Sequence, residues 1–341
     1  MSFNQILGQE GAIAILRKAL LTGRLAHAYL FIGAEGVGKR LTALTLAKAM
    51  NCKSPLEMAD SCEKCPSCVK INSANHADVI ILESEGEVIK IDQVRDMQRR
   101  LRYRPLEGGR RACLIDSAER LNEAASNALL KTLEEPPDET HLILITSRPH
   151  QLLPTLLSRC QWVKFKPLSS AHIVQILKKV HSLEEDRANF YASLAGGSAG
   201  EALALSNRVD FQKRIDWLRA FADIPAKNTE EIFETCERIA KEEEEVNDLL
   251  ELWKLWIRDL TVFKVQGEGP GEKLINHDLG AEVAEQAKKF SFDRLDGLFG
   301  LISDVQKAIA LNANRQLALE TLMLEMKKNS KKNSERDFAF R

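Results

Sequence analysis

The stretch Gly33-Ala34-Glu35-Gly36-Val37-Gly38-Lys39-Arg40 (GAEGVGKR) directly follows the apolar run Ala28–Ile32. A phosphate-binding loop has the pattern G-x-x-x-x-G-K-[ST] and lies between a strand and a helix. This chain has the glycines and Lys39, but Arg40 stands where a hydroxyl residue would ligate the magnesium ion that bridges nucleotide phosphates. The sequence therefore predicts a phosphate-binding loop that lacks one part of the usual chemistry. Its candidate binding residues are Gly33, Gly36, Gly38 and Lys39.

The composition is that of an ordinary globular protein. The chain has 341 residues, of which 44% are hydrophobic and 28% charged, and its formal net charge is -1. This length suggests two or three domains, and the charge implies no global attraction to nucleic acid. No apolar run approaches the ~20 residues of a membrane span, and Met1–Gln5 lacks the layout of a signal peptide. We therefore expect a cytoplasmic protein, with no membrane partner, whose thiols stay reduced.

Short apolar runs alternate with helical patterns over residues 1–167. The runs are Ala28–Ile32, Val79–Leu82, Ala112–Ile115, Leu142–Ile145 and Trp162–Phe165; the helical stretches between them are Leu41–Met50, Ile91–Leu101, Glu123–Leu133 and Gln151–Leu157. Continuous apolar strands separated by helices indicate an α/β domain with a parallel sheet that helices cover on both faces. Such domains bind ligands at the carboxyl ends of their strands, which is where the glycine-rich loop falls.

After Pro167 the pattern becomes helical. Residues 168–207 form a short helical unit, and residues 208–330 form a longer one. The longer unit contains the amphipathic stretches Phe211–Phe221, Ile232–Ala240, Val246–Val265, Leu295–Leu311 and Arg315–Met326. Gly267–Gly271 (GEGPG) is predicted to be a loop. The charged end of the chain, Lys327–Arg341, is expected to fray, so that residues 331–341 form a tail.

Asp116 supplies the acidic residue that a nucleotide site needs at the end of a second strand. The run Ala112–Ile115 leads directly into it, although Asp116 could also merely cap the following turn. A hydrolysing site usually has a glutamate next, whereas this chain has Ser117. Because each such positioning element is worth ~10²-fold or more in rate, the changes at Arg40 and Ser117 argue against efficient hydrolysis. Lys39 either still binds the phosphates of ATP or ADP or is retained for loop packing alone.

The cysteines give a second signal. Cys62, Cys65 and Cys68 form C-x2-C-x2-C, and Cys52 lies ten residues before them. Four thiolates in a polar, turn-rich segment favour a closed tetrahedral zinc site, hence a structural zinc within residues 52–68. Four free thiols are the disfavoured alternative, since free cysteines prefer apolar surroundings. The isolated cysteines, which we expect to be packing residues, are Cys113, Cys160 and Cys236.

Two further stretches are distinctive. Residues 127–137 (NALLKTLEEPP) form a predicted helix that two prolines end. Ser158-Arg159-Cys160 directly follows the predicted helical stretch Gln151–Leu157. Arg159 is either a solvated surface charge or an arginine finger, a group worth ~10³–10⁵ in rate when it reaches the γ-phosphate bound by a neighbouring subunit.

Residues 88–111 are rich in basic side chains: Lys90, Arg95, Arg99, Arg100, Arg102, Arg104, Arg110 and Arg111. They form either a face that follows nucleic-acid phosphates without sequence specificity or a solvated helix surface with neighbouring ion pairs. The sequence leaves both alternatives open.

Taken together, these motifs resemble the clamp-loader branch of the AAA+ proteins. The resemblance is strong over residues 1–205, through residues 23–40, the cysteine cluster, LIDSAERL (114–121), NALLKTLEEPP and LLPTLLSRC (152–160). It is weaker in the remainder, chiefly through NANRQLALE (312–320). It implies an AAA+ module at 1–167, a small helical lid at 168–207 and an all-α collar domain at 208–330 that holds a ring together.

Three positions depart from the pattern of the family's ATPase subunits, which are of the gamma/tau type. Those subunits carry Ser or Thr at the place of Arg40, Asp-Glu at the place of Asp116-Ser117, and a sensing arginine at the place of Gly200. The Ser-Arg-Cys loop is intact, and in the family it delivers its arginine, here Arg159, to the ATP site of the adjacent subunit. The resemblance therefore implies a non-hydrolysing subunit.

The implied partners follow from the family. They are gamma/tau-type ATPase subunits and a delta subunit in a hetero-pentameric clamp loader, the sliding clamp indirectly, and primed DNA without sequence specificity. Such proteins belong to the DNA polymerase III holoenzyme, a DNA-directed DNA polymerase and hence a nucleotidyltransferase. No polymerase or intrinsic ATPase activity is expected of this subunit.

Two alternatives come from other functional classes. One is a self-sufficient gamma/tau-type ATPase that uses Lys39 and Asp116. The other is an interaction module whose glycine-rich loop binds nothing.

Overall fold

Five parallel strands form the predicted sheet. The computed structural model describes residues 1–84, 86–107, 109–208, 210–241, 243–266 and 274–338. The strands are β1 (Ala28–Ile32), β2 (Val79–Leu82), β3 (Arg111–Ile115), β4 (Thr140–Thr146) and β5 (Gln161–Lys164). Their order is β2-β3-β4-β1-β5, and each neighbouring pair is parallel. The strand that leads into the glycine-rich loop thus lies between β4 and β5.

Helices connect these strands and continue beyond them. They are α1 (Glu10–Leu21), α2 (Lys39–Asn51), α3 (Pro66–Asn72), α4 (Ile91–Leu101), α5 (Glu123–Glu134), α6 (Pro154–Leu157), α7 (Ser170–His181), α8 (Glu185–Leu194) and α9 (Ala199–Arg208). Each connection between strands that are consecutive in the chain contains helix, as parallel pairing requires.

Alternate side chains of β1 enter two separate hydrophobic clusters. Ala28 and Leu30 pack with side chains of α4 and α5, whereas Tyr29 and Phe31 pack with side chains of α1 and α2. All four are fully buried or nearly so. Both faces of the sheet are therefore covered, which confirms the predicted α/β fold class.

The chain divides into two compact units. The α/β unit comprises residues 1–183 and 191–204, and the helical unit comprises residues 184–190 and 205–341. The remaining helices belong to the helical unit: α10 (Phe211–Asp223), α11 (Thr229–Ile239), α12 (Glu243–Gln266), α13 (Gly280–Lys289), α14 (Phe292–Ala310) and α15 (Arg315–Phe338). The predicted loop Gly267–Gly271 lies outside the described residues.

The helical unit has its own core, in which two buried tryptophans are hydrogen-bonded. Trp253 and Trp256 are buried, and their indole N–H groups donate to the Trp217 carbonyl at 3.0 Å and to Gln286 Oε1 at 2.9 Å. The buried carboxylate of Asp259 accepts backbone N–H bonds from Ile275 at 3.0 Å and from Asn276 at 2.8 Å. This core confirms the predicted all-helical C-terminal region.

Two predicted elements differ from the structure. Gln151–Leu157 is not one helix, because Leu152 and Leu153, both in extended conformation, separate a 3-10 turn at Pro149–Gln151 from α6. A residue before proline is pushed out of the helical region, which explains the break before Pro154. The last helix, α15, continues to Phe338 instead of ending at Met326. Among the residues that the structure describes, no helix combines the length and apolarity needed to cross a membrane.

Candidate nucleotide site, arginine loop and cysteine cluster

The glycine-rich loop connects β1 to α2, as predicted. Gly33 directly follows β1, and Lys39 is the first residue of α2. Gly36 and Gly38 have φ of +74° and +99°, a left-handed backbone that residues with a Cβ rarely adopt. This path brings the loop to the N-terminus of a 13-residue helix, whose unpaired N–H groups and dipole favour anions.

Lys39 is folded into the loop. Its side chain is mostly buried, and Nζ donates to the carbonyl oxygens of Gly33 at 2.7 Å and Ala34 at 2.6 Å. Burial lowers the pKa of Lys39, and the nearby carboxylates, chiefly Glu119, oppose that shift. The ammonium group therefore has a packing role in the loop, and its binding of phosphate stays a prediction.

Arg40 is paired with acidic residues at the ends of two strands. Its Nη1 donates to Asp116 Oδ2 at 3.0 Å, and its Nη2 forms an ion pair with Glu83. Asp116 follows β3 and Glu83 follows β2, so both carboxylates lie at the carboxyl edge of the sheet. The guanidinium thus meets the carboxylate that would help to hold magnesium in an ATPase. Glu83 was missed by the sequence reasoning.

Ser117 lies where an ATPase has its water-orienting glutamate. Its backbone is left-handed, with φ of +53°, and its N–H donates to Asp116 Oδ1 at 2.9 Å. The next acidic residue, Glu119, accepts from Ser147 Oγ at 2.9 Å. Burial opposes ionisation of Glu119, but hydrogen bonds from its own backbone, Thr146 and Ser147 outweigh this effect and lower its pKa. The Glu119 carboxylate is thus held by residues at the carboxyl end of β4.

Gly200 is packed directly against the glycine-rich loop. Its N–H donates to the Gly36 carbonyl at 3.0 Å. A Cβ at Gly200 would lie 2.8 Å from the Gly36 Cα, closer than real Cβ atoms approach other atoms. An arginine at this place would therefore require the backbone to move, which gives the third departure from the ATPase pattern a steric reason.

A cavity of about 930 Å³ opens beside these residues. Its polar lining includes Lys39, Arg40 and Asp116, and its apolar lining includes Ile6 and Leu203. Pockets for small ligands have volumes of about 300–1,000 Å³ and combine an apolar lining with a few polar groups. The predicted residues Gly36, Gly38, Lys39 and Asp116 all line this cavity; Gly33 lies outside the lining.

Arg159 lies at the amino ends of the strands, opposite the carboxyl ends that carry the glycine-rich loop. It follows α6 and precedes the amino end of β5, whereas the glycine-rich loop follows the carboxyl end of the adjacent parallel strand β1. Its Nη2 donates to Glu134 Oε1 at 2.6 Å, and its Nη1 donates to the Thr155 carbonyl at 3.1 Å. The side chain is 36% exposed. The ion pair with Glu134, at the end of α5, was not foreseen.

The four predicted cysteines come together. Their sulfur atoms all lie within 4.8 Å of one another, and Cys52 Sγ is 3.9 Å from Cys65 Sγ. Tetrahedral zinc with Zn–S bonds of ~2.3 Å needs sulfur–sulfur distances of about 3.8 Å. Burial opposes ionisation of Cys65, but backbone N–H groups of Cys68 and Lys53 outweigh it and lower its pKa to about 6. Burial raises the pKa of Cys52 and of Cys68. The close approach of the four sulfur atoms means that this donor set could hold a metal ion.

A network of charges fastens the cysteine segment to α2. Lys48 is 2% exposed, and its Nζ donates to Glu63 Oε1 at 2.7 Å and to Asn72 Oδ1 at 3.0 Å. Burial raises the pKa of Glu63, but hydrogen bonds from Lys48 and its neighbours outweigh that effect and lower it to about 2. The segment is thus held to α2 by an ion pair whose lysine is buried.

The basic stretch is only partly available for a ligand. Arg95 and Arg99 pair with acidic residues one turn earlier on α4, and Arg110 pairs with Glu139. Arg111 is buried, where it donates to the Tyr103 carbonyl at 2.8 Å, so it cannot belong to a basic face. The basic residues of this stretch that form no ion pair within the described part of the chain include Arg100, Arg102 and Arg104.

Family models match most of the chain. The model described as DNA polymerase III, delta subunit matches residues 8–169, and the model described as DNA polymerase III, delta subunit, C terminal matches residues 208–328. The chain is 30% identical over 324 residues to the DNA polymerase III subunit delta' of Bacillus subtilis, covering 93% of this chain and 95% of that protein.

Two further comparisons accompany these matches. The tau subunit of Bacillus subtilis DNA polymerase III is 31% identical over 309 residues, which cover 83% of this chain but only 54% of that protein. Among solved structures, a DNA polymerase III gamma subunit-related protein of Thermotoga maritima aligns with a TM-score of 0.42 and 20% identity, covering 94% of this chain and 99% of that one.

Proposed function

The chain belongs to the delta-prime and tau family of DNA polymerase III clamp-loader subunits, and from this premise we propose that it is a delta-prime-type subunit. In this role it helps to load the sliding clamp on primed DNA during replication without hydrolysing ATP itself. It contributes an arginine in trans to the ATP site of a neighbouring subunit.

The observation that carries this proposal is the position of Arg159 relative to the chain's own glycine-rich loop. The two lie at opposite edges of a parallel sheet, and the four residues of β5 span ~13 Å. Arg159 therefore cannot reach a phosphate bound at Lys39 of the same chain. The site that this arginine serves belongs to an adjacent gamma/tau-type subunit.

The chain's own site supports the non-hydrolysing part of the proposal. Arg40 is paired with Asp116, Ser117 carries no carboxylate, and Gly200 is packed on Gly36. A site without a hydroxyl ligand for magnesium and without a water-orienting glutamate has lost two elements that are each worth ~10²-fold or more in rate. ATP or ADP bound there would be retained rather than turned over.

The remaining partners complete the proposal. We place the subunit in a cytoplasmic hetero-pentamer with gamma/tau-type subunits and a delta subunit, held by the collar helices of residues 208–330; it contacts the sliding clamp only indirectly. Contact with primed DNA would be to phosphates and independent of sequence. The guanidinium groups of Arg100, Arg102 and Arg104 support such contact, since they form no ion pair with any residue that the structure describes.

The cysteine cluster supports a structural zinc ion. The residues that would hold it are Cys52, Cys62, Cys65 and Cys68. Zinc bound by four thiolates has no open coordination position, so its contribution is to the folding of residues 52–68 rather than to catalysis.

Reconstitution of the clamp loader tests the trans arginine. Arg159→Ala should leave assembly intact and abolish the burst of hydrolysis at one ATP site in a single-turnover experiment, because an arginine finger is worth ~10³–10⁵ in rate. Arg24→Ala is a matched control, since Arg24 is an exposed arginine that precedes β1 at the same sheet edge. An unchanged burst amplitude with Arg159→Ala would refute the trans role.

The purified chain alone tests the non-hydrolysing role. We expect no ATP hydrolysis above background. Steady turnover that Lys39→Ala abolishes would show instead a self-sufficient ATPase of the gamma/tau type.

A further inference from the structure

The pairing of Arg40 bears on the kind of ligand that the cavity beside the glycine-rich loop can take. In a phosphate-loop site, magnesium is held by the hydroxyl of the residue after the lysine and by the acidic residue that ends a second strand. Here the first position is Arg40, and its guanidinium reaches the second, with Nη1 3.0 Å from Asp116 Oδ2. Arg40 therefore stands in place of one magnesium ligand, the hydroxyl, and forms an ion pair with the other, Asp116.

Both oxygens of the Asp116 carboxylate are engaged. Oδ2 accepts from Arg40, and Oδ1 accepts from the Ser117 N–H at 2.9 Å. Glu83, the second carboxylate at this place, is also paired with Arg40. A divalent cation would have to break these contacts and would be repelled by the positive charges of Arg40 and Lys39. These contacts therefore disfavour the binding of magnesium at this site.

The same residues leave positive charge for a phosphate chain. The Arg40 side chain is 49% exposed and lines the cavity together with Lys39. A guanidinium presents five donors in a planar fork that suits phosphate oxygens, so the two carboxylates do not exhaust it. With the N-terminus of α2 beside it, the loop offers an anion the Arg40 guanidinium and a helix dipole. Lys39 adds a second cation once its Nζ leaves the carbonyl oxygens of Gly33 and Ala34.

We infer that Arg40 takes the place of the magnesium ion, so that the cavity binds nucleoside di- or triphosphates without a divalent cation. This inference rests on the proposed function, in which the site retains nucleotide but does not turn it over. Arg40 is here a residue that determines the form of the ligand, the metal-free nucleotide rather than its magnesium complex.

Equilibrium titration of the full chain with fluorescent ADP and ATP analogues tests the inference. Wild-type protein should bind with affinities in excess EDTA and in millimolar magnesium that agree within about threefold. Arg40→Thr, which restores the hydroxyl, should lose about tenfold in EDTA and regain it with magnesium. Arg24→Thr removes an exposed arginine outside the cavity lining and should behave as wild type. Manganese electron paramagnetic resonance should detect bound metal only in the Arg40→Thr complex.

Three results would overturn the inference. They are tenfold stimulation of wild-type binding by magnesium, no nucleotide binding by the wild type in either medium, and an equal loss of affinity with and without magnesium in Arg40→Thr. The burst experiment with Arg159→Ala is independent of all three, because Arg159 lies at the other edge of the sheet. Failure of the magnesium inference is therefore distinguishable from failure of the trans role.

Discussion

Gly36→Ala should destabilise the α/β unit by about 2–5 kcal/mol. A left-handed backbone, with φ of +74° at Gly36, costs a residue with a Cβ about 1–2 kcal/mol. The added Cβ would also overlap Ser198 Oγ and lie 2.9 Å from the Gly200 N, so the loop or the start of α9 must shift. Such overpacking costs a further ~1–3 kcal/mol.

Two other glycines separate these contributions. Gly38 has φ of +99° but no atom within 4 Å of an added Cβ, so Gly38→Ala should cost only the backbone contribution of about 1–2 kcal/mol. Gly11 lies within α1 with open space around it and no left-handed φ. Gly11→Ala should therefore stabilise the protein by about 0.5–1 kcal/mol, because alanine is the better helix former.

Hydrogen exchange measured by mass spectrometry on peptides that cover β1 gives the opening free energy of the α/β unit separately from the helical unit. The expected order of protection is Gly11→Ala, wild type, Gly38→Ala and Gly36→Ala, from highest to lowest. If Gly36→Ala were no less protected than Gly38→Ala, the loop would not contact Gly200, and the steric reason given for the missing sensing arginine would be wrong.

Three further predictions concern the other sites. The wild-type chain should contain one zinc ion by elemental analysis, and Cys65→Ser should contain none and melt at a lower temperature; a metal-free, equally stable wild type would contradict the site. The pKa of Glu63, about 2 against an ordinary 4.5, means that its stabilisation is present above pH 4.5 and is lost as pH falls toward 2. The free energy of unfolding of Glu63→Gln should therefore fall less steeply with pH over that range than that of the wild type. An equal slope would exclude the Lys48–Glu63 pair as the source of this pH dependence. Glu134→Gln removes only a half-exposed partner of Arg159, so the single-turnover burst should persist, whereas a loss as large as that of Arg159→Ala would make Glu134 essential for positioning the arginine.

The elements that could be predicted from the sequence are those whose signal is local. β1 was found because five consecutive apolar residues precede a glycine-rich loop, and the cysteine cluster because its spacing is short. The pairing of Arg40 with Asp116 joins residues 76 positions apart, and no periodicity reports such a contact. Arg111 looked like part of a basic surface, yet it is buried beside Asp78, since its neighbours in the fold are distant in the chain.

Because Arg159 and the phosphate loop lie at opposite ends of the parallel strands, the two sides of this subunit are not equivalent in an assembly. Under the proposed function, one edge completes a neighbour's ATP site, while the other edge presents a site that no arginine can make productive. Two copies placed side by side would thus remove an ATP site from the ring instead of adding one. Under the proposed function, a single copy per assembly, at one end of the series of ATP sites, leaves every ATP site of the other subunits able to receive an arginine.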